Sequence, residues 1–201
     1  MSKNILKNAI KHIKLVTKHK WLVFKFSLKV GIPFRGLVHD LSKFSLEEFW
    51  ESAKYYDGKM SPITMCKRDI GYSRAWLHHK GRNKHHDSYW VDLNAPEVAP
   101  IIPYKYMLEM ICDKLSASIT YNGKKWTNSS EYDYWQIEKT RTIMNPKCEH
   151  FLTEVFTQVK DNGIDKTLKK KNIKELYKKY CIDDKTKYKY KFHGEWSVVE
   201  K

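Results

Sequence analysis

The sequence has few cysteines, and none of them are paired in the way that a metal ribbon requires. The four cysteines among 201 residues are Cys66, Cys112, Cys148 and Cys181. The absence of a Cys-x-x-Cys pair excludes a zinc ribbon, and the scattered positions offer no disulfide framework of the kind found in small secreted domains. We therefore expect reduced thiols in a cytoplasmic protein.

Long hydrophobic runs are also missing. The longest apolar run near the start, Trp21–Phe24, is far too short to cross a bilayer. Lysines interrupt the N-terminal segment every few residues, which is not the pattern of a secretory signal. We therefore expect no membrane partner.

Acidic residues are outnumbered by basic ones. The chain has 38 Lys and Arg against 23 Asp and Glu, a formal net charge of +15. Such a charge favours anionic partners, which include nucleic acids, nucleotides, phosphate esters and acidic membrane surfaces. The hydrophobic content of 41% is enough for a packed core. A chain of this length most often forms one domain and buries roughly 70% of its unfolded surface.

The first predicted helix, over residues 4–27, carries two histidines on its apolar face. His12 and His19 share this face with Ile5, Ala9 and Val16. A histidine on a buried face is either a hydrogen-bonded core residue or a metal ligand. We rank His12 first as a ligand, and we place His19 behind a ligand or facing a substrate.

A histidine and an aspartate stand side by side in the segment Leu37–Lys43. Gly31 ends the first helix, and Pro33 suits the first turn of a second helix that carries His39 and Asp40 and breaks near Phe44. A single His-Asp pair is a weak signal of a metal site. Further candidate ligands elsewhere strengthen it: His12, His78, His79, His85, His86 and Asp113.

The segment 78–86 contains four histidines and three cations, Lys80, Arg82 and Lys84. Protonated imidazoles would repel one another there, and the repulsion is relieved if neutral imidazoles bind a cation or if the cations bind an anion. A solvated basic loop is the alternative interpretation of the same residues.

Further helices are predicted from periodicity and boundary signals. Ser45 and Glu48 have the spacing of a capping box, which begins a helix to about Tyr56. Asp113 lies off the apolar stripe of a later helix, so periodicity leaves it either exposed or in the wall of a cavity. The remaining predicted helices cover 62–79, 103–121, 130–143, 147–162 and 166–180.

The composition becomes basic after Gly163. In Lys187–Phe192, lysines alternate with aromatic residues, a pattern typical of a short strand or an extended segment. Such a segment could follow a nucleic-acid backbone and stack on bases, or it could pack on the domain as an edge segment. We predict an all-α fold with one helical domain over 1–163 and a basic extension over 164–201.

The order of these residues resembles the HD-domain superfamily of metal-dependent phosphohydrolases. The matching pieces are His12–Val16, Leu37–Lys43 and Cys112–Leu115. Lys43 is similar to a lysine of the branch that cleaves cyclic dinucleotides. The stretch from His12 to about Tyr121 is also similar to a small bacterial family with an HD-like signature, in which histidine pairs flank a segment like 80–84.

This resemblance implies an all-helical fold with a metal site lined by His12, His39, Asp40 and Asp113. One or two of the later histidines (His78, His79, His85 and His86) would hold a second metal, and Asp40 would bridge the two. The donors are nitrogen and oxygen without sulfur, which suits Fe, Mn, Zn or Co. We therefore expect one or two divalent transition metal ions as the cofactor.

The resemblance also implies that a metal-activated water hydrolyses a nucleotide or another phosphoester. Asp40 would be essential to the metal site. Charge on the phosphoryl group would be compensated by Lys43, Lys80, Arg82 and Lys84, while Asn83 would position a non-bridging oxygen. The substrate would also contact His19 and Lys84. Two other functions stay open: a di-iron oxygenase of the HD type, and a non-enzymatic, metal-containing protein that binds nucleic acid.

Overall fold

The computed structural model describes residues 3–191 and 195–200 of the chain. Helices dominate this part, and the only sheet in it is a two-stranded one. The helices are α1 (Lys3–Val30), α2 (Pro33–Val38), α3 (Leu46–Tyr55), α4 (Pro62–Ile70), α5 (Arg74–Arg82), α6 (Tyr104–Asn122), α7 (Ser130–Glu138), α8 (Pro146–Asn162), α9 (Ile164–Thr167) and α10 (Lys170–Tyr177), and the strands are β1 (Lys187–Lys191) and β2 (Glu195–Glu200). The predicted all-α fold with a short C-terminal strand is confirmed.

The long helix α1 supplies one wall of the domain. Its buried positions recur at alternating steps of three and four residues, as a helix with one covered face requires. They are Ala9, His12, Val16, His19, Val23, Phe26 and Val30. This face packs against α2, α3 and α6. Gly31 follows with φ 83°, a backbone conformation that glycine adopts without steric cost, and the chain turns there into α2.

The prediction that the second helix carries the His-Asp pair is wrong. α2 ends at Val38, so His39 and Asp40 lie in the turn before a 3₁₀ helix over Leu41–Phe44. Asp40 has φ 52° and ψ 32°, and it is the only non-glycine residue with positive φ in the described ranges. Adjacent helical side chains diverge by about 100°. The left-handed residue removes this constraint, and both side chains are buried at 1% exposure.

The predicted helix over 62–79 is two helices. α4 ends at Ile70, and Gly71 follows with φ 85°. Ser73 then caps α5, because its hydroxyl accepts a hydrogen bond from the Trp76 backbone N–H at 3.0 Å. The break allows α5 to pack against α3, which places His79 inside the domain.

α6 lies at the centre of the domain, between the core and the cluster of histidines. One side of it contributes Met107, Ile111 and Leu115 to the hydrophobic core, together with residues of α8 and α10. The core also includes residues beyond the predicted boundary at 163: Leu168, Ile173, Leu176, Tyr177 and Cys181. The division into a domain and an extension stays a prediction.

The C-terminal strands form an antiparallel hairpin. Tyr190 pairs with Trp196 and Lys191 with Glu195. The alternation of lysine and tyrosine therefore predicted β1 correctly, while Phe192 lies outside the described residues. Among the helices of the described residues, none combines the length and the apolar character needed to cross a bilayer.

Candidate metal centre

Seven candidate donor residues from α1, the turn after α2, α5 with the segment after it, and α6 meet inside the domain. Two sets of four residues each bring their nitrogen and oxygen atoms within 4.8 Å of one another. The first set is Asp40, His79, His85 and His86. The second set is His19, His39, Asp40 and Asp113. Asp40 belongs to both sets, so its two oxygens can serve two neighbouring ions.

The two oxygens of Asp40 face different histidines. Oδ1 lies 3.4 Å from Nε2 of His79 and 3.4 Å from Nε2 of His85. Oδ2 lies 3.2 Å from Nε2 of His39. This division matches the two donor sets and supports a bridging position for the carboxylate.

Asp113 completes the second set from α6. Its Oδ1 lies 3.0 Å from Nε2 of His19 and 3.2 Å from Nε2 of His39. Its Oδ2 lies 3.9 Å from Nε2 of His85, on the side of the first set. Periodicity left Asp113 undecided between solvent and a cavity wall, and the structure places it in the wall of this site.

Several of these atoms are buried without a hydrogen-bond partner in the part of the chain that the structure describes. They are Nε2 of His85 and of His86, and Oδ1 of Asp40. Buried polar atoms are normally satisfied, and an exception requires an explanation such as an ion. Carboxylate oxygens and imidazole nitrogens that face one another with their lone pairs cannot hydrogen-bond to each other. A cation between them would bind both kinds of atom.

Glu109 orients two of the histidines. Its Oε1 lies 3.1 Å from Nδ1 of His39 and 3.2 Å from Nδ1 of His85. Its Oε2 accepts a hydrogen bond from Nε of Arg35 at 2.7 Å. A carboxylate that receives the Nδ1–H of a histidine fixes the ring tautomer and leaves Nε2 as a lone pair for a metal. The third donor group consists of His39, His85 and Glu109. We interpret it as the contact by which Glu109 orients the two histidines, and not as a third metal site.

Glu48 supports the third histidine in the same way. Its Oε2 lies 2.8 Å from Nδ1 of His79, and its Oε1 lies 2.6 Å from Nδ1 of His78. The Glu48 backbone N–H donates to the Ser45 hydroxyl at 3.3 Å, so the predicted helix start is confirmed. The carboxylate does not return to Ser45 as a capping box would require, because the Ser45 N–H donates to the Ser42 carbonyl.

His12 lies outside all three donor groups, although we ranked it first as a ligand. His19, which we ranked below it, belongs to the second donor set. The two histidines are seven residues apart on α1, a separation of about 10 Å along the axis. His12 instead packs against the rings of Phe49 and Tyr56, with centroid separations of 6.0 and 6.1 Å. Burial and the nearby Lys43 lower the pKa of His12 to about 4.

His78 also lies outside the donor groups. It precedes His79 on α5, and adjacent helical side chains diverge by about 100°. Its Nδ1 faces Glu48, and its Nε2 is 3.7 Å from Oε2 of Glu47. Of the four later histidines, the structure brings His79, His85 and His86 to the site.

The charges in the cluster determine the protonation of its members. Burial lowers the pKa of His86 well below its ordinary value, and burial also lowers the pKa of His19. Burial alone would raise the pKa of Asp40 and of Asp113, but His39 and Lys43 outweigh it for Asp40, and His19 and His39 outweigh it for Asp113, so both pKa values lie well below the usual range. Burial would likewise lower the pKa of His39, but the carboxylates of Asp40, Asp113 and Glu109 outweigh it and raise that pKa well above its ordinary value. Metals bind ionised carboxylates and neutral imidazoles, so an ion would displace the proton of His39.

Lys43 is the predicted cation that reaches the cluster. Its Nζ lies 2.5 Å from Oδ2 of Asp40. Burial lowers the pKa of Lys43, but the carboxylates of Asp40 and Asp113 outweigh burial and raise it above its ordinary value. A second ammonium group, on Lys20, donates to the His39 carbonyl and fixes the turn.

The other predicted phosphate ligands lie elsewhere. Arg82 is exposed, Lys80 is half-buried, and the ion pairs of Asp40 include neither. The side-chain amide of Asn83 donates to the Ser42 hydroxyl and to the His79 carbonyl, at 2.9 and 2.8 Å, and it thereby holds the end of α5. The ammonium of Lys84 lies over the rings of Tyr89 and Tyr106, 5.5 and 5.9 Å from their centroids.

Four contributors to the site were missed at the level of sequence: Lys20, Arg35, Glu48 and Glu109. Glu109 could have been found, because it lies four residues before Asp113 and therefore on the same helical face. Arg35 and Glu48 gave no such signal, since their partners are 74 and 30 residues away.

A family model described as "Family of unknown function (DUF5662)" matches residues 8–158. The match includes every residue of the three donor groups. No curated protein and no solved structure matches the chain. Since the family model spans about three quarters of the sequence, the chain belongs to the DUF5662 family, whose function is unknown.

Proposed function

We propose that this protein holds a pair of divalent transition metal ions bridged by Asp40, and that it hydrolyses a nucleotide or another phosphoester in the manner of the HD-domain phosphohydrolases. The observation that carries the proposal is the pair of donor sets that share Asp40. The donors are imidazole nitrogens and carboxylate oxygens, a mixture that suits Fe, Mn, Zn or Co.

The supporting residues fit this role as well as the donors do. The Glu109 carboxylate lies at the Nδ1 atoms of His39 and His85, and the Glu48 carboxylate lies at Nδ1 of His79. The Nε2 atoms of the three rings are therefore directed to the centre of the site. Arg35 neutralises Glu109 from the outside, through Nη2 at 2.5 Å from Oε2. Carboxylates behind metal-binding histidines are a recurring feature of metal sites.

Bound divalent ions would supply a water that ionises near neutral pH. The chain's own contribution to the reaction is positioning and charge. Lys43 holds a protonated ammonium beside Asp40, where it can neutralise charge that develops on phosphoryl oxygens. The net charge of +15 draws anionic substrates to the protein and so favours a phosphoester over a neutral substrate.

We also infer that the protein works in the cytoplasm. All four cysteines are free and buried. Reduced thiols are the ordinary state in that compartment.

The test is metal content followed by hydrolysis. The protein is purified without added chelator, and its metals are measured by mass spectrometry. Nucleotides and a generic phosphodiester are then assayed with each candidate metal. Asp40→Ala should lose both metal and turnover, whereas the exposed His150→Gln serves as a matched control and should keep both.

Three results would contradict the proposal. Hydrolysis that persists in metal-free Asp40→Ala protein would place the chemistry elsewhere. Bound iron with a coupled spin signal, oxygen consumption and no hydrolysis of any ester would instead support the oxygenase. Binding of metal without turnover of any kind would favour a structural role for the ions.

A further inference from the structure

α1 has two apolar stripes, and the domain covers one of them. At about 100° per residue, the members of the second stripe fall within about 80° of one another around the helix, and their side chains are exposed. They are Leu6, Ile10, Ile13, Trp21 and Leu28. Their exposure ranges from 42% for Ile13 to 59% for Leu6. A helix with one covered face ordinarily directs polar residues to solvent, so this outer stripe is an exception that points to a partner.

The lysines of α1 lie beside this stripe. The sequence of Lys3–Val30 contains eight lysines and no acidic residue. At about 100° per residue, the exposed lysines fall on the face that adjoins the outer apolar stripe. They are Lys7, Lys11, Lys14, Lys18, Lys25 and Lys29. The outer surface of α1 is therefore apolar along one side and cationic along the other, over about 40 Å.

The neighbouring helix α2 also has exposed apolar side chains. It packs closely on α1, because a Cβ on Gly36 would lie 3.1 Å from the Cα of Phe24. The side chains of Phe34 and Leu37 on α2 are exposed at 73% and 61%. Apolar side chains are therefore exposed on both of these packed helices.

Against the expectation of no membrane partner that we drew from the sequence, we propose that the outer face of α1 docks this protein on an anionic lipid bilayer. A helix that carries Leu, Ile and Trp on one side and lysines on the other lies in the plane of the interface, with its apolar side among the acyl chains. Lysines at its edge attract anionic headgroups. Such a helix does not cross the membrane, so the lack of a spanning helix in the described ranges does not bear on the docking.

Other partners fit this surface less well. A second copy of the chain would bring two lysine faces together, which like charges disfavour. Nucleic acid would satisfy the lysines but would leave Leu6, Ile10 and Ile13 against phosphates or water. An anionic bilayer satisfies both sides of the helix.

Vesicle sedimentation tests the docking with the full chain. Vesicles of phosphatidylcholine alone are compared with vesicles that contain phosphatidylglycerol. The chain should bind the anionic vesicles, and high salt should weaken the binding. Replacement of Leu6, Ile10 and Ile13 by Gln should abolish it, because these side chains are exposed and their loss leaves the core intact.

A matched pair of charge variants separates the face of α1 from net charge. Lys7, Lys11 and Lys14 are replaced by Glu in one variant, and the exposed Lys124, Lys125 and Lys166 in the other. Each lysine near the surface strengthens binding by roughly fivefold. The α1 variant should therefore lose at least about a hundredfold in affinity, while the control should lose much less.

Four results would overturn the docking. The first is equal binding to neutral and anionic vesicles, or to none. The second is an equal loss in the two charge variants. The third is a dimer in light scattering that the Leu6, Ile10 and Ile13 variant dissociates, which would assign the face to a second copy. Binding to RNA but to no vesicle would likewise assign it to nucleic acid. None of these outcomes tests the proposed metal centre. Hydrolysis of a small soluble ester should be the same in the wild type and in the variant with Gln at positions 6, 10 and 13.

Discussion

The imidazole of His19 reaches from α1 to α6, where its Nε2 lies 3.0 Å from Oδ1 of Asp113. His12 shares the buried face of α1 but lies two turns away, against Phe49 and Tyr56. This difference separates two histidines that the sequence pattern makes equivalent.

The two histidines of α1 should differ in their effect on metal binding. We expect His19→Gln to remove a ligand of the second donor set and to lower the metal content per chain. His12→Gln should retain the metal, because its ring lies outside the donor groups. Mass spectrometry of both purified variants measures the difference. Loss of metal in His12→Gln with full retention in His19→Gln would reverse the assignment.

Glu109 should control metal affinity although it need not touch the metal. Glu109→Gln keeps the size of the side chain but removes the charge that holds Nδ1 of His39 and of His85. Loss of such a supporting carboxylate typically weakens metal binding by roughly 10- to 100-fold. Competition with a chelator measures the affinity, and thermal unfolding in excess chelator checks that the fold is retained. An unchanged affinity for metal would show that Glu109 acts only as the ion-pair partner of Arg35.

Lys43 and Lys84 should separate in hydrolysis assays. Lys43→Met removes the cation beside Asp40, so we expect metal content to be retained and kcat to fall by roughly 10²–10³-fold. Lys84→Met removes a cation that lies over Tyr89 and Tyr106, and we expect a small effect confined to KM. Equal losses of kcat in both variants would favour the larger cationic clamp that we expected from the sequence.

Gly36 should be sensitive to a single methyl group. In Gly36→Ala the new Cβ would lie 2.0 Å from Oγ of Ser27, so α2 has to move away from α1. Overpacking of this kind typically costs about 1–3 kcal/mol of the free energy of unfolding. Gly81→Ala is the control, because no heavy atom lies within 4 Å of its Cβ, and in a helix it should stabilise by about 0.5–1 kcal/mol. Denaturant unfolding compares the two variants.

Glu131 should make stability depend on pH. Its carboxyl is 2% exposed, and burial raises its pKa to about 8. The folded state therefore keeps a proton that the unfolded state releases above its ordinary value of 4.5, so stability falls as the pH rises from 4.5 to about 8. The slope is roughly 1.4 kcal/mol per pH unit.

The variant Glu131→Gln should remove this penalty. Its melting temperature should exceed that of the wild type at pH 8, and the difference should vanish near pH 4.5. Thermal scans of both proteins across this range measure the effect. A difference that is constant with pH would indicate that the carboxyl is ionised in the folded protein.

The sequence by itself determined the helices and the residue types of the site. Periodicity of three to four residues fixed α1, α6 and α8 nearly to their ends, because each has one apolar face and a clear boundary signal at Gly31, Pro103 or Gly163. The basic alternation likewise fixed β1. The ligand types followed from the His-Asp pair and the histidine pairs.

Only the tertiary structure decided which of these residues meet. No local preference of the chain requires the left-handed conformation of Asp40, which depends on how the turn after α2 packs in the domain. The break at Gly71, in contrast, has local signals that our interpretation of the sequence passed over: a glycine at the end of α4 and the N-cap Ser73 of α5. The choice of His19 over His12 depends on the height at which α6 crosses α1. A pattern along one helix specifies which face is buried, but the partner at each level of that face comes from a residue distant in the sequence, as Asp113 does for His19.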